Sequence, residues 1–245
     1  MTSFESVLIT GANRGIGLGL VTALLTKPNG GPKHVIATTR QATNAALDEL
    51  RDRHANLHIL QLDGTDYKSF DGFAKQVADI VGDRGLDTLI NNAGMGIASK
   101  LDAVTADDMM TNFEVNSVAP LMLTKALLPV LKQSGATKRK TTVANITSLA
   151  GCITNIHKAP MGMIYPYFTS KTALDMITKC LSVDLAPHGI NTVAVHPGHV
   201  RTDMGGPTGA IDVETSAEGI LNVIKKLTDE DSGRLIGYDG TVHPN

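Results

Sequence analysis

The chain has 245 residues and a formal net charge of −2, with 42% hydrophobic and 19% charged residues. It has no basic excess and no tryptophan, which argues against nucleic acid as a partner. No apolar stretch approaches the ~18 residues of a membrane span, and residues 1–10 lack a signal-peptide pattern. Cys152 and Cys180 form neither a CxxC motif nor a metal-binding spacing. We therefore expect a cytoplasmic protein with no metal and no membrane partner.

Short apolar or β-branched runs alternate with segments of helical periodicity along the whole chain. The runs predict strands at 7–10, 34–38, 57–62, 86–90, 141–146, 192–196 and 234–236. The periodic segments predict helices at roughly 16–27, 42–53, 67–81, 106–132, 167–186 and 213–228. This alternation predicts an α/β fold: one doubly wound Rossmann-type domain over residues 1–245, with about seven parallel strands and helices on both faces.

A glycine-rich turn joins the first predicted strand to the first predicted helix. It reads Thr10-Gly11-Ala12-Asn13-Arg14-Gly15-Ile16-Gly17. Gly11 would permit the tight turn, Gly15 would let the backbone approach a pyrophosphate, and Gly17 would allow close helix–sheet packing. The free N–H groups at the helix start would face the phosphates. The alternative is a glycine-rich turn that binds no ligand.

The end of the second predicted strand carries no acidic residue, although an NAD-binding site usually has one there. The sequence is Ala37-Thr38-Thr39-Arg40. Arg40, and Arg14 in the glycine turn, could both pair with a 2′-phosphate. Two arginines converging on one place favour NADPH over NADH, whereas each alone could be an ordinary surface arginine.

Tyr167 and Lys171 lie four residues apart in a predicted helix and therefore share one face. An ammonium group beside a phenol should lower the pKa of the phenol toward the neutral range. Tyr165 has no such partner, because the residue four positions later is Thr169. The pair alone could equally be two residues on a solvated helix face. Its significance comes from other motifs in the chain, namely Asn91-Asn92-Ala93-Gly94, Asn116, Ser148 and His196-Pro197-Gly198.

Taken together, these motifs resemble those of the classical short-chain dehydrogenase/reductase family, and the resemblance covers essentially the whole chain. Within that family the sequence is most similar to the sniffer-type carbonyl reductases and the C-factor-like proteins. Residues 165–185 and the segment from His196 to Gly206 carry this closer likeness.

The resemblance implies four catalytic residues, which are Asn116, Ser148, Tyr167 and Lys171. In this family Ser148 would hold the substrate carbonyl and Tyr167 would deliver the proton. Lys171 would bind the nicotinamide ribose, and Asn116 would kink its helix to hold a relay water. The glycine turn and the resemblance together imply this set of cofactor contacts: Gly11, Asn13, Arg14, Gly15, Ile16, Gly17, Thr39, Arg40, Asp63, Asn91, Ala93, Gly94, Tyr167, Lys171, Pro197, Gly198, Val200 and Thr202.

The sequence therefore predicts an NADPH-dependent carbonyl reductase for a small to medium, largely apolar aldehyde or ketone. The substrate walls are expected from residues 94–101, 149–164 and 199–214, the last segment acting as a mobile cap. Apolar residues on more than one face of two helices predict a homodimer or homotetramer. The alternatives are a nucleotide-binding signalling or scaffold protein with vestigial catalysis, and an NAD-dependent dehydrogenase working in the oxidative direction.

Overall fold

Eight strands form one sheet in the part of the chain that the computed structural model describes, namely residues 4–26, 31–137, 140–158 and 163–244. The strands are β1 (Ser6–Ile9), β2 (His34–Thr39), β3 (Leu57–Gln61), β4 (Thr88–Asn91), β5 (Thr141–Ile146), β6 (Ile190–His196), β7 (Leu235–Gly237) and β8 (Val242–His243). Their order across the sheet is β3-β2-β1-β4-β5-β6-β7-β8. The predicted parallel arrangement is confirmed for β1 to β7.

The eighth strand corrects the sequence prediction of about seven parallel strands. β8 pairs antiparallel with β7, so the sheet is mixed at that edge. The two strands are joined by a tight turn in which Gly240 has a φ of +87° and Asp239 accepts a hydrogen bond from the Thr241 N–H. A two-residue strand cannot show an alternating pattern, which explains why the periodicity of the sequence did not reveal it.

Helices cover both faces of the sheet, as predicted. They are α1 (Gly15–Leu25), α2 (Ala45–Arg53), α3 (Phe70–Val81), α4 (Ala106–Phe113), α5 (Ala119–Ala126), α6 (Leu128–Ala136), α7 (Tyr165–Leu185) and α8 (Val213–Lys226). Because side chains alternate along a strand, Val7 and Ile9 of β1 pack with α1, α2 and α8, whereas Leu8 packs with α3, α5 and α6. The predicted helix end at position 27 lies outside the described residues.

The helix predicted over 106–132 is interrupted twice. A π-helical turn at Glu114–Val118 separates α4 from α5, and α5 ends before Leu128, where α6 begins. Pro120 has no N–H to donate to the carbonyl group of Asn116, and Pro129 likewise lacks a donor near the start of α6. Two prolines thus divide the segment, and the first interruption places Asn116 in the irregular turn.

Candidate functional site

Most of the predicted cofactor contacts lie at the carboxyl ends of parallel strands or just after them, whereas Asn116, Tyr167 and Lys171 lie in helical segments. Such ends meet at one edge of an α/β sheet, where ligands of this fold bind. No helix in the described part of the chain is long and apolar enough to cross a membrane. Nor do three or more His, Cys, Asp or Glu side chains converge as a metal site within those residues.

The glycine turn between β1 and α1 forms a cradle for an anion. Gly11 and Gly15 have φ values of +62° and +54°, a backbone region that favours glycine. Arg14 caps α1 without a side-chain hydrogen bond, and no acidic residue occupies the first helical turn. The N–H groups at this helix end are thus available to a pyrophosphate, which the positive end of the helix dipole also favours. Asn13 and Ile16 are half-buried beside this turn.

Gly17 lies where the turn packs most closely against the rest of the protein. A Cβ atom at this position would lie 2.3 Å from the Gly11 carbonyl oxygen and 2.6 Å from Nδ2 of Asn92. The predicted role of Gly17 in close packing is therefore supported by the backbone itself.

We expect Gly17→Ala to reduce the free energy of unfolding by about 1–3 kcal/mol, because the added methyl group meets backbone that cannot easily move. Gly72→Ala is the matched control. Gly72 lies within α3 with no atom within 4 Å of an added Cβ, so helix propensity should make that change neutral or stabilising. Denaturant unfolding of both variants measures the difference, and equal stabilities would contradict the packing argument.

Thr10 and Asn92 hold the glycine turn against the end of β4, and the sequence prediction did not include them. The Thr10 hydroxyl accepts hydrogen bonds from the N–H groups of Asn92 and Ala93, both at 3.0 Å. Asn92 Nδ2 donates to the carbonyl oxygens of Thr10 at 2.9 Å and Gly11 at 3.2 Å. Two motifs in the sequence could have indicated this contact, namely Thr10-Gly11 after the first strand and Asn91-Asn92-Ala93-Gly94 at the end of the fourth. Ala93 and Gly94 are exposed at this edge.

Asn91 is the exception among the predicted cofactor contacts near β4. Its side chain is buried, and Nδ2 donates to Asn145 Oδ1 at 2.8 Å and to Thr124 Oγ1 at 3.2 Å. Asn145 in turn donates to Thr178 Oγ1 at 2.8 Å. The Asn91 side chain therefore joins two central strands to α5 and α7, and its contact with a cofactor stays a prediction.

The residues predicted for the adenosine end lie after β2 and β3. Thr39 is buried, whereas Arg40 and Asp63 are exposed. The Thr65 N–H and hydroxyl bond to Asp63 and lower the pKa of its carboxyl group, and the Arg40 guanidinium lowers it further. Arg40 thus acts on Asp63, another of the predicted cofactor contacts.

Arg14 makes a contact that the sequence did not predict. Its guanidinium forms an ion pair with Asp203, in the segment after β6. Both side chains are exposed, so the pair contributes little stability. Arg14 therefore connects the glycine turn to the predicted cap, which leaves Arg40 as the arginine at the end of β2.

Ser148, Tyr167 and Lys171 come together between β5 and α7. The Lys171 ammonium donates to the Ile146 carbonyl oxygen at 2.9 Å and lies 5.7 Å from the centre of the Tyr167 ring. The Ser148 hydroxyl is close enough to the Tyr167 phenol to lower its pKa. A Cβ on Gly96 would touch the Tyr167 ring at 3.5 Å, so the loop after β4 closes one side of the site.

Burial controls the ionisation of Tyr167 and Lys171. It raises the pKa of Tyr167, which the Ser148 hydroxyl opposes and the Asp175 carboxylate reinforces. It lowers the pKa of Lys171 to about 8, although Asp175 opposes this change. The expectation that Lys171 lowers the Tyr167 pKa is wrong for the protein's own residues, because loss of solvation dominates. Tyr167 is therefore a protonated phenol at neutral pH, suited to act as an acid.

Asn116 lies in the π-helical turn with its side chain buried and fully engaged. Its Oδ1 accepts from the Met95 N–H at 2.9 Å, and its Nδ2 donates to the Met95 carbonyl oxygen at 2.8 Å and to Ser170 Oγ at 3.0 Å. A Cβ on Gly94 would lie 3.1 Å from Asn116 Oδ1 and 3.6 Å from Lys171 Nζ. Asn116 thus fixes the loop after β4 beside Lys171.

The segment after β6 faces the glycine turn. Gly198 has a φ of +86°, and a Cβ there would lie 2.6 Å from Ile211 Cδ1. Thr202 Cγ2 lies 3.5 Å from the position of a Cβ on Gly15, so the predicted contact residue does reach the glycine turn. Pro197 and Val200 are buried, and the Pro197 carbonyl oxygen accepts from Ser216 Oγ at 2.7 Å. Their side chains therefore support the loop.

The predicted cap is a compact loop held by its own backbone. A parallel bridge joins Val200 to Ile211, and the Arg201 guanidinium donates to the Gly209 carbonyl oxygen at 3.0 Å. α8 begins at Val213, so the last two positions of the predicted cap belong to that helix.

An open cavity of about 590 Å³ lies at the start of α7, lined by Lys100, Leu101, Asp102, Met163 and Tyr165. Lys100, Leu101 and Met163 come from the first two predicted walls, whereas Asp102 and Tyr165 lie just outside them. Each predicted wall also presents exposed apolar side chains, namely Leu101, Ile153, Met163 and Met204. Positions 159–162 of the second wall lie outside the described residues.

Comparison with known proteins agrees with this arrangement. The family model described as short chain dehydrogenase matches residues 5–211. The C-signal of Myxococcus xanthus is 43% identical over 160 residues, covering 65% of this chain and 92% of that protein. The carbonyl reductase Sniffer of D. melanogaster superimposes with a TM-score of 0.94 at 38% identity, covering 99% of this chain and 100% of its own.

A second solved structure is the NADPH-bound carbonyl reductase from chicken fatty liver. It superimposes with a TM-score of 0.95 at 39% identity, again covering 99% of this chain and 100% of the other. The match of the family model extends over the glycine turn, Ser148, Tyr167 and Lys171. The chain belongs to the short-chain dehydrogenase family.

Proposed function

We propose that this protein is an NADPH-dependent carbonyl reductase acting on a small to medium, largely apolar aldehyde or ketone. The observation that carries the proposal is the meeting of Ser148, Tyr167 and Lys171 at the edge of the sheet where the glycine turn opens. The NADPH-bound state of the chicken carbonyl reductase supports the choice of cofactor. The exposed apolar side chains of Leu101 and Met163 at the cavity support the choice of substrate.

The residues have distinct roles in this proposal. NADPH, when bound, supplies the hydride for the carbonyl carbon. The Ser148 hydroxyl donates a hydrogen bond to the substrate oxygen and stabilises the charge that develops there. Tyr167 delivers its proton to that oxygen, which as an alkoxide is a much stronger base than a phenolate. Lys171 holds the ribose, and the first turn of α1 holds the pyrophosphate.

The rate of NADPH consumption, measured with matched sets of carbonyl compounds, tests this function. Aromatic and aliphatic aldehydes and apolar ketones should be reduced with a higher kcat/KM than keto sugars of similar size, because the cavity mouth is apolar. Preferential reduction of the sugars would overturn the substrate class. Tight NADPH binding with no turnover of any carbonyl would instead favour the signalling or scaffold alternative.

We also propose that the protein is a homodimer or homotetramer in the cytoplasm. Four apolar side chains on α4 and α7 are exposed, and these are Met110, Phe113, Met176 and Val183. Leu123 and Leu127, two of the apolar residues on which the prediction of an assembly rested, are buried in the core. The apolar surface is thus narrower than predicted, although it still requires cover.

Light scattering at micromolar concentration should therefore give at least twice the mass of the chain. Met176→Glu places a charge in the middle of the exposed apolar surface and should shift the protein toward the monomer. A monomeric unaltered protein would reject the assembly without affecting the proposed reaction.

A further inference from the structure

The mechanism above gives no role to the buried carboxylate of Asp175. Asp175 lies in α7 one helical turn after Lys171 and is 7% exposed. Neither carboxylate oxygen has a hydrogen-bond partner of normal length. A buried carboxylate in this state is costly, and an uncharged residue of the same shape would pack there at a lower cost. The position of Asp175 therefore requires an explanation other than packing.

Two features of the site meet at Asp175. The first is the turn that begins with Ser148. A Cβ on Gly151 would lie 2.9 Å from Asp175 Oδ2, and the Thr172 hydroxyl donates to the Gly151 carbonyl oxygen at 2.8 Å. The turn thus rests directly on the helix at the carboxylate.

The second feature is that the Thr147 and Lys171 side chains each act on Asp175. The Thr147 hydroxyl is buried next to Ser148 in the chain and also lacks a partner of normal length, yet it lies near enough to lower the pKa of Asp175. Lys171 is the charged group that acts on Asp175 in return. The turn Leu149–Gly151 contains no ionisable residue, and Tyr167 is the remaining titratable group that Asp175 affects.

We propose that Asp175 is a positioning residue of the active site, whose buried carboxylate keeps Lys171 charged and supports the turn that carries Ser148. This inference rests on the proposed function, because it assigns Asp175 to the same catalytic set. Asp175 touches neither the substrate nor the reacting atoms, and it acts through Lys171 and Thr147.

The electrostatic consequence has a definite sign. Burial raises the pKa of Asp175 to about 7 and lowers the pKa of Lys171 to about 8. Above about pH 7 the ionised carboxylate favours the ammonium form of Lys171. Below that pH Asp175 gains a proton and resembles an asparagine. Removing the charge should therefore alter catalysis on the alkaline side and leave the acid side nearly unchanged.

Asp175→Asn tests the proposal, with Asp184→Asn as the matched control. Asp184 lies in the same helix but is exposed, so the control removes the same charge without affecting the site. Losing a nearby opposite charge should lower the titration midpoint of Lys171 by roughly 1 to 3 pH units. With a shift of one unit, kcat at pH 8 falls about five-fold and kcat at pH 6 changes little.

Carbon NMR of protein labelled at the lysine ε-carbon follows Lys171 without any turnover, with Lys171→Met used for assignment. If no carbonyl is reduced, the proposed function fails while this titration still tests Asp175. An unchanged Lys171 midpoint in Asp175→Asn, with loss of thermal stability alone, would make Asp175 merely structural and overturn the proposal.

Thr147→Val provides the test if Asp175→Asn does not fold. It removes the hydroxyl that favours the ionised carboxylate and keeps nearly the same shape. Asp175 should then ionise at a higher pH. The change that this ionisation causes in the NMR shift of the Lys171 ε-carbon should therefore also occur at a higher pH. The same change at an unaltered pH would reject the proposed arrangement.

Discussion

Tyr167→Phe should reduce kcat for carbonyl reduction by about 100-fold or more, the typical loss when a general acid is removed. The substitution keeps the ring and its contact with the loop after β4, so NADPH affinity should change little. The hydroxyl that it removes is the one beside Ser148. Burial raises the pKa of Tyr167, so the unaltered phenol carries its proton throughout the neutral range.

Tyr165→Phe is the matched control for this experiment. Tyr165 begins α7 and lines the cavity at the start of that helix, but it has no lysine four residues later. Its loss of a hydroxyl should leave most of the activity and affect KM more than kcat. Steady-state kinetics together with NADPH titration of both variants separates the two effects. A large loss in Tyr165→Phe with activity retained in Tyr167→Phe would overturn the assignment of the acid.

The parallel part of the fold was predictable because its signals are local. Each of β1 to β7 is an apolar or β-branched run, and each of β1 to β6 is followed by a segment with helical periodicity. The two interruptions in the 106–132 region were less visible, since Pro120 and Pro129 lie within an otherwise continuous apolar pattern. There the missing backbone donors outweigh the periodicity.

The same distinction applies to the site: features formed by neighbouring residues were predictable, and contacts between residues far apart in the chain were not. The spacing of Tyr167 and Lys171 and the glycine turn can be read from neighbouring residues. The ion pair of Arg14 with Asp203 joins residues 189 positions apart, so no spacing rule could reveal it. Asn91 was predicted to contact the cofactor because of its motif, whereas its burial depends on how three elements pack.

The Tyr167 pKa shows why charge patterns alone were insufficient. Sequence spacing correctly places an ammonium group near the phenol, and that proximity predicts a lowered pKa. Burial instead favours the neutral form of both groups, so it raises the pKa of Tyr167 and lowers the pKa of Lys171. The extent of burial is a property of the folded protein. The residue one turn further on, Asp175, enters this balance for the same reason.

Arg40→Asp should remove the preference of the protein for NADPH over NADH. NADPH differs from NADH by one 2′-phosphate, and Arg40 follows β2 at the place where an acidic residue would repel that charge. A hydrogen bond to a charged group contributes ~1.5–3 kcal/mol, which corresponds to roughly 10- to 150-fold discrimination. NADPH binding should weaken by about this factor, while NADH binding stays similar or improves.

Two controls separate this effect from a general change of charge. Arg53→Asp reverses an exposed charge on the neighbouring helix α2 and should leave both coenzyme affinities unchanged. Arg14→Ala should weaken NADPH binding less than Arg40→Asp does, because Arg14 pairs with Asp203 instead of lying at the end of β2.

Salt provides an independent check on the same interaction. Arg40 is exposed, so part of its attraction for the 2′-phosphate is screened by ions, and the preference for NADPH should shrink as ionic strength rises. Titration of both coenzymes against the unaltered protein and Arg40→Asp, at low and high salt, measures every quantity in this argument. Equal affinities for NADPH and NADH in the unaltered protein would reject the coenzyme assignment, whereas the reduction of carbonyl compounds through Tyr167 would stand.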